Sequence, residues 1–131
     1  MKGKQTNKQN RKNKIDCVEF PAKSVKALRA NRKFYAEVFG WSFQNWGDDY
    51  TDTKSSGIAS GVNASAAHRC AAPLVVVYSA NLEQSCGRVQ QAGGKITRAI
   101  FSFPGGRRFH YRDPAGNELG VWSDKKLKAG G

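Results

Sequence analysis

Apolar and polar positions divide the chain into two successive segments with the same pattern. In the first segment, residues 15–21 (IDCVEFP) alternate as in a short strand, which ends at Pro21. A helix is predicted from Ser24 to Gly40, because glycine accepts the left-handed conformation that ends many helices. Residues 41–46 then alternate again, and polar clusters at residues 47–49 and 54–57 divide the region up to about residue 64 into short strands.

The pattern starts again after residues 63–73, an alanine-rich stretch that is predicted to be a linker. Residues 74–78 form an apolar run typical of a covered strand, and Leu82, Cys86 and Val89 follow at helical spacing before Gly93. Strands are predicted at residues 95–103, 107–112 and 117–123, with turns at residues 104–106 and 113–116. The second segment is therefore again one strand, one helix and three strands.

These segments predict an α+β fold of two βαβββ modules, at about residues 15–64 and 73–123 of a single domain spanning residues 15–124. The apolar stripe of each helix must cover one face of a sheet in its own module. Each module also has to bury sheet surface against the other module or against a second chain. We therefore expect curved mixed sheets around a cavity, which is the natural place for a ligand.

The formal net charge of +12 is concentrated at the two ends of the chain. Residues 1–14 carry six bases and no acid, and three more lysines lie within residues 125–128, so residues 15–124 hold thirteen bases against ten acids. The first fourteen residues show no apolar periodicity and are predicted to be a disordered basic arm, with residues 125–131 as a flexible tail. Such an arm either solubilises the protein or makes weak contact with nucleic acid.

Composition excludes several other classes of protein. No apolar run approaches the roughly 18 to 20 residues that span a bilayer, so we expect no membrane contact and a cytoplasmic location. The three cysteines Cys17, Cys70 and Cys86 lack CxxC spacing, which argues against a disulfide framework and against a zinc site.

Two longer motifs carry a family resemblance. Residues 34–41 (FYAEVFGW) and 112–122 (RDPAGNELGVW), together with VEFP at residues 18–21 and QQAGGKI at residues 90–96, occur in the order found in the vicinal oxygen chelate superfamily. The chain resembles this superfamily, which includes glyoxalase I, extradiol dioxygenases, fosfomycin-resistance enzymes and bleomycin-binding proteins. The resemblance spans residues 15–123 and implies the paired-module fold predicted above.

The resemblance also implies where a metal would be held in metal-dependent members. Their His and Glu ligands come from four positions, which fall here at Cys17, within residues 58–61, near Pro73 and at Gly120. Proline and glycine have no coordinating side chain, and a lone thiol cannot anchor an oxygen-preferring divalent ion. We therefore expect neither a metal nor another cofactor.

Candidate ligand-contacting residues follow from strand alternation and from the resemblance. Glu19, His110 and Glu118 could form a substitute metal set, but no spacing rule selects them, and we expect them to be polar wall residues. Arg107 and Arg108 could clamp an anion, although charged residues beside a turn are usually solvated. No catalytic residue is assigned. The predicted wall comprises Cys17, Glu19, Trp46, Tyr50, Val75, Val77, His110, Glu118 and Trp122.

The leading hypothesis is a metal-independent protein that binds a small molecule, of a kind that the sequence does not identify. A cationic ligand of the bleomycin type is disfavoured because the chain is basic. One alternative is a lyase, isomerase or dioxygenase-like enzyme with an unusual metal set, and another is a nucleic-acid accessory protein that acts through the basic N-terminal arm.

A homodimer is also expected, because single-module members of the resembled superfamily commonly pair and a two-fold pairing is the commonest closed assembly. Trp41, Phe43 and Trp46 are the candidates for that contact, since interfaces are enriched in aromatic residues.

Overall fold

The computed structural model describes residues 11–125, which form two compact units. We call Cys17–Leu74 the N-terminal unit. The C-terminal unit consists of the described residues up to Asp16 and from Val75 onward.

The N-terminal unit contains one helix and four strands. They are β1 (Lys14–Pro21, of which the first three residues belong to the C-terminal unit), α1 (Val25–Phe39), β2 (Gln44–Asn45), β3 (Tyr50–Thr53) and β4 (Ala59–Asn63). Their order in the sheet is β2-β3-β4-β1, with β1 and β4 parallel and the other neighbours antiparallel.

Helix α1 covers one face of this sheet. Its start is capped by Ser24, whose Oγ accepts a hydrogen bond from the Ala27 amide at 3.0 Å, and Gly40 ends it at a φ of 73°. The hydrophobic cluster between helix and sheet contains Ala22, Leu28, Val62 and Ala64, with Ala27 and Phe43 packed against it. Because Val62 faces α1, strand alternation directs Gly61 and Asn63 to the opposite face.

The C-terminal unit repeats the arrangement with β5 (Leu74–Tyr78, of which Leu74 belongs to the N-terminal unit), α2 (Leu82–Gln91), β6 (Lys95–Phe103), β7 (Gly106–Arg112) and β8 (Glu118–Ser123). Its order is β5-β8-β7-β6, with β5 and β8 parallel and the other neighbours antiparallel. Leu82, Phe109 and Val121 form the cluster under α2, and Phe109 is fully buried. Strand β6 shifts its register twice between Ile96 and Phe101.

The predicted α+β fold with two βαβββ modules is confirmed, and both predicted helices are present. The stripe of Leu82, Cys86 and Val89 does face the sheet. Asp113 ties the predicted turn, since its Oδ1 accepts hydrogen bonds from the amides of Ala115 and Asn117 at 3.0 and 2.9 Å. The strand predicted within residues 41–46 is shorter than expected, because only Gln44–Asn45 pair as a strand. The Ser42 amide donates to Ser55 Oγ instead.

Part of the predicted arm is described, and it lies against the C-terminal unit. The Asn13 amide donates to the Tyr78 carbonyl at 2.8 Å, and Lys12 forms a parallel bridge with Tyr78. The Arg11 guanidinium lies 4.2 Å from the centroid of the Tyr78 ring and pairs with Asp16 at 3.2 Å. Residues 1–10 of the arm and residues 126–131 of the predicted tail lie outside the described residues.

No helix within residues 11–125 is long and apolar enough to cross a membrane.

Replacing Arg11 with alanine is expected to lower the free energy of unfolding by about 1–2 kcal/mol, because it removes a cation–π contact and partly buried ion pairs. Lys12→Ala is the matched control, since Lys12 is exposed and pairs with Tyr78 through its backbone. Urea unfolding of both variants measures the difference. Equal stability of the Arg11 variant and the wild type would contradict the docking of this segment.

Candidate functional site

Three predicted wall residues, Cys17, Glu19 and Tyr50, share the face of the N-terminal sheet opposite α1, and a fourth, Trp46, follows β2 beside Tyr50. Glu19 pairs in register with Gly61, and Cys17 with Ala59, so their side chains lie on the side away from Val62. Tyr50 pairs with Asn63 on the next strand, and the Trp46 amide donates to the Tyr50 carbonyl at 2.8 Å.

Glu19 is a buried acid on this face. Only 4% of its surface is exposed, and its Oε1 accepts a hydrogen bond from Asn63 Nδ2 at 3.3 Å. Asn63 is itself buried, and its Oδ1 accepts from the Ser65 amide at 2.8 Å. The amide side chain therefore connects the carboxylate to the loop that follows β4, which satisfies polar groups that would otherwise be costly to bury.

The Tyr50 ring crosses this face directly above Gly61. A Cβ atom on Gly61 would lie 2.1 Å from the Tyr50 hydroxyl oxygen, closer than any real contact. A larger residue at position 61 would therefore displace the phenol end of Tyr50 from this strand.

The other predicted wall residues belong to the C-terminal unit, where Val75 and Val77 lie on one face of the sheet and His110, Glu118 and Trp122 on the other. Val77 faces α2 together with Phe109 and Val121 of the hydrophobic cluster. Because β5 pairs with β8 in register, Val75 lies on the same side as Val77, so neither valine shares a face with His110. Val76 and Tyr78 occupy that opposite face instead. The apolar run of residues 74–78 contains no polar alternation from which this could have been read.

His110, Glu118 and Trp122 do share the face opposite α2. His110 pairs with Gly120, and Glu118 and Trp122 flank that glycine on β8. His110 is 1% exposed, and its Nδ1 lies 3.6 Å from Oε2 of Glu118, too long for a hydrogen bond but close enough for attraction if the imidazole is protonated. Thr97 Oγ1 donates to the same carboxylate oxygen at 2.9 Å. The Glu118 side chain is 31% exposed, so this end of the face is open to solvent.

A cationic cluster surrounds the Phe101 ring beside this pair. The Arg98 and Arg108 guanidinium carbons lie 5.5 and 5.4 Å from the ring centroid, and the His110 ring meets it edge-on at 5.8 Å. Arg108 also lies 5.8 Å from the centroid of Phe103. Cations are attracted to the negative face of an aromatic ring, so Phe101 helps to hold both guanidinium groups beside it.

The expectation that Arg107 and Arg108 are solvated was wrong for Arg108, which is 8% exposed. Alternation along β7 places it on the face of His110, since the intervening Phe109 faces α2. Arg107 forms a bidentate ion pair with Glu83 of α2. Arg98, Phe101 and Thr97 were not among the predicted wall residues, because the register shifts of β6 hide their facing from the sequence.

Trp122 lies at the other end of this face, between Tyr78 and Asp16. Its Nε1 donates to the two Asp16 oxygens at 3.1 and 3.2 Å, and its ring meets the Tyr78 ring edge-on at 5.3 Å. Burial raises the pKa of Asp16, and this outweighs the hydrogen bond from Trp122 and the attraction of Arg11. Burial, with a further contribution from Asp124, also raises the pKa of Tyr78, whose hydroxyl donates to Asp124 at 2.6 Å.

The positions at which the resemblance places metal ligands, Cys17, residues 58–61, Pro73 and Gly120, hold no His, Asp or Glu. Register places Ala59 beside Cys17, and Val76 and His110 on the two sides of Gly120, so one thiol and one imidazole lie at or beside these predicted ligand positions. Taken singly, neither unit brings together three His, Cys, Asp or Glu side chains among its described residues.

Comparison with known proteins agrees with this arrangement of strands and helices. The family model of the Glyoxalase/Bleomycin resistance protein/Dioxygenase superfamily matches residues 18–121, so the chain belongs to this superfamily, as the motifs predicted. A search of curated proteins returned no match.

Several solved structures have a similar fold. One, from Legionella pneumophila, is described as an NAD-dependent benzaldehyde dehydrogenase; it has a TM-score of 0.69 at 12% identity and covers 83% of this chain and 98% of its own. The Mn(II)-bound glyoxalase from Novosphingobium aromaticivorans has a TM-score of 0.61 at 20% identity, covering 90% of this chain and 43% of its own. Methylmalonyl-CoA epimerase from Mycobacterium tuberculosis has a TM-score of 0.57 at 12% identity, and the match covers 86% of this chain and 88% of its own. At these identities the likeness concerns the fold alone.

Purified protein is expected to hold no stoichiometric divalent metal, because the predicted ligand positions lack donor groups. Elemental analysis after dialysis should find far less than one Mn, Zn, Ni or Fe per chain, and added MnCl2 should leave the melting temperature unchanged. About one tightly held ion per chain would contradict this.

Stability should depend on Asp16 in a characteristic direction. A carboxyl group with a higher pKa in the folded state binds its proton more tightly there, so wild type should lose stability relative to Asp16→Asn as the pH rises above about 3.8. Asp113→Asn is a control of opposite sign, because hydrogen bonds from Asn117, and more weakly from Ala115 and Gly116, lower the pKa of Asp113. Relative to Asp113→Asn, wild type should gain stability as the pH rises towards about 3.8.

Urea unfolding of the three proteins between about pH 2.5 and 6 tests both directions. A wild-type advantage over Asp16→Asn that grows with pH would show that the ion pair with Arg11 outweighs burial.

Proposed function

We propose that this protein binds a small organic anion, without a metal, on the face of the C-terminal sheet opposite α2. The observation that carries the proposal is the grouping of Arg98, Arg108 and His110 around the Phe101 ring, with Glu118 as the acid beside them. Two guanidinium groups and an imidazole on neighbouring strands favour a ligand with a carboxylate or phosphate group.

Burial strengthens this preference. Arg108 and His110 are 8% and 1% exposed, so the charge of the guanidinium group is screened less than at the surface. A planar guanidinium group offers parallel N–H donors that match the two oxygens of a carboxylate. The same positive potential disfavours cationic ligands, in agreement with the basic composition of the chain.

Aromatic rings supply the apolar part of the proposed site. Phe101 and Phe103 are half-buried, and Phe103 lies 6.3 Å from the Trp122 ring. Ligand sites commonly combine such apolar walls with a few polar groups that fix orientation. The proposed ligand is therefore an acid with an aromatic or aliphatic body.

The remaining expectations stay predictions. A cytoplasmic location and a homodimer are part of the proposal, and of the three candidate interface residues Phe43 packs against the N-terminal core. Contact with nucleic acid through the arm depends chiefly on residues outside the described part of the chain.

Calorimetric titration with sodium benzoate and benzylamine hydrochloride, which share a ring and differ in charge, tests the proposal. Benzoate is expected to bind and benzylamine is not. Arg98→Met should weaken benzoate binding about tenfold or more, the loss expected for one charge-assisted hydrogen bond. Arg88→Met is the matched control, because Arg88 is exposed on α2.

Melting temperatures of both variants separate loss of binding from loss of folding. Equal binding of benzoate and benzylamine would contradict the proposal, and so would no binding of benzoate at millimolar concentration or benzoate binding that survives Arg98→Met.

A further inference from the structure

A cavity lies within the N-terminal unit, at the edge of its sheet. It has a volume of about 500 Å3 and is formed by two segments of chain, residues 42–46 and 52–55. This volume is within the range of small-molecule sites. Phe43 contributes from the hydrophobic cluster below α1, and Trp46 lines the cavity with 57% of its surface exposed. An exposed tryptophan at a cavity is an apolar surface that a ligand can cover.

Hydroxyl groups line one side of the cavity and are held in place by one another. Ser55 Oγ lies 2.9 Å from Thr53 Oγ1 and accepts from the Ser42 amide at 3.1 Å, while the Ser55 amide donates to Thr53 Oγ1 at 3.0 Å. Thr53 is 2% exposed, so this end of the network is fixed in the sheet. The Ser42 hydroxyl lies 3.4 Å from that of Ser55, a weak contact that it can exchange for a ligand.

Longer polar side chains complete the wall. Asp52, Gln44 and Lys54 line the cavity, and none of these three side chains makes a hydrogen bond to another residue within the described range 11–125. They offer a carboxylate, an amide and an ammonium group, which together both donate and accept hydrogen bonds. One acid and one base leave the cavity with no net charge, in contrast to the cationic cluster of the C-terminal unit.

We propose that this cavity binds a neutral saccharide, of one or two sugar units, with a sugar ring stacked on Trp46. A single exposed indole face suits the apolar face of one saturated ring, and the dense row of donors and acceptors suits a ligand rich in hydroxyl groups. The balanced charge of Asp52 and Lys54 disfavours strongly charged ligands. Asp52 and Gln44, which pair across β2 and β3, hydrogen-bond to the hydroxyl groups of that ring.

The indole N–H signals in a proton–nitrogen correlation spectrum test this proposal, because the chain has three tryptophans. Trp46→Phe identifies the signal of Trp46. The probes are glucose, galactose, mannose, N-acetylglucosamine, cellobiose, maltose and lactose. At least one should shift the Trp46 signal with saturation at millimolar concentration and leave the Trp122 signal unmoved. A saturating shift at Trp122 with Trp46 unmoved contradicts the proposal, and so does the absence of a saturating shift at Trp46 with all seven probes.

Asp52→Ala should weaken saccharide binding at least fivefold, and Asp48→Ala, an exposed loop residue that does not line the cavity, should not. If wild type and Asp52→Ala bind the saccharide with equal affinity, the proposal that Asp52 hydrogen-bonds to the sugar is wrong. Benzoate binding in the C-terminal unit is measured separately, so either proposal can fail while the other stands.

Discussion

Burial of Phe109 under α2 is the constraint on which the chemistry of the C-terminal unit depends. Side chains alternate between the faces of a strand, so a phenylalanine that must face the helix sends its neighbours Arg108 and His110 to the other face. A slip of one residue would bring those two polar side chains under α2 and expose the ring, and the cost of both changes holds the register of β7 in place.

The cationic cluster is a consequence of this allocation. Arg108 is removed from water, which is costly for a charged group, and the rings of Phe101 and Phe103 compensate in part by cation–π attraction. The packed sheet holds the guanidinium carbons of Arg98 and Arg108 at 5.5 and 5.4 Å from the centroid of the same ring. An anion placed there would be attracted by both guanidinium groups, which is why we propose an acidic ligand rather than a neutral one.

The N-terminal unit uses the same alternation for different chemistry. Val62 faces α1, so Gly61 and Asn63 meet Glu19 and Tyr50 on the opposite face, where the carboxylate is held by an amide rather than by a base. At the edge of this sheet the strands are short, and the cavity beside Trp46 has hydroxyl, amide and balanced charged groups. The two units therefore share an architecture but present different polar surfaces.

The sequence by itself determined the order of elements, both helices and the Asp113 turn, because capping, helical spacing and turn chemistry are local. It also placed Glu19, His110 and Glu118 on the polar faces, since their strands alternate clearly. Only the tertiary structure decided the facing of Val75 and Val77, whose apolar run has no alternation, and the positions of Arg98 and Phe101 beyond the register shifts of β6. The burial of Arg108 was decided there too, because burial depends on packing between segments distant in sequence, and local pattern carries no record of those contacts.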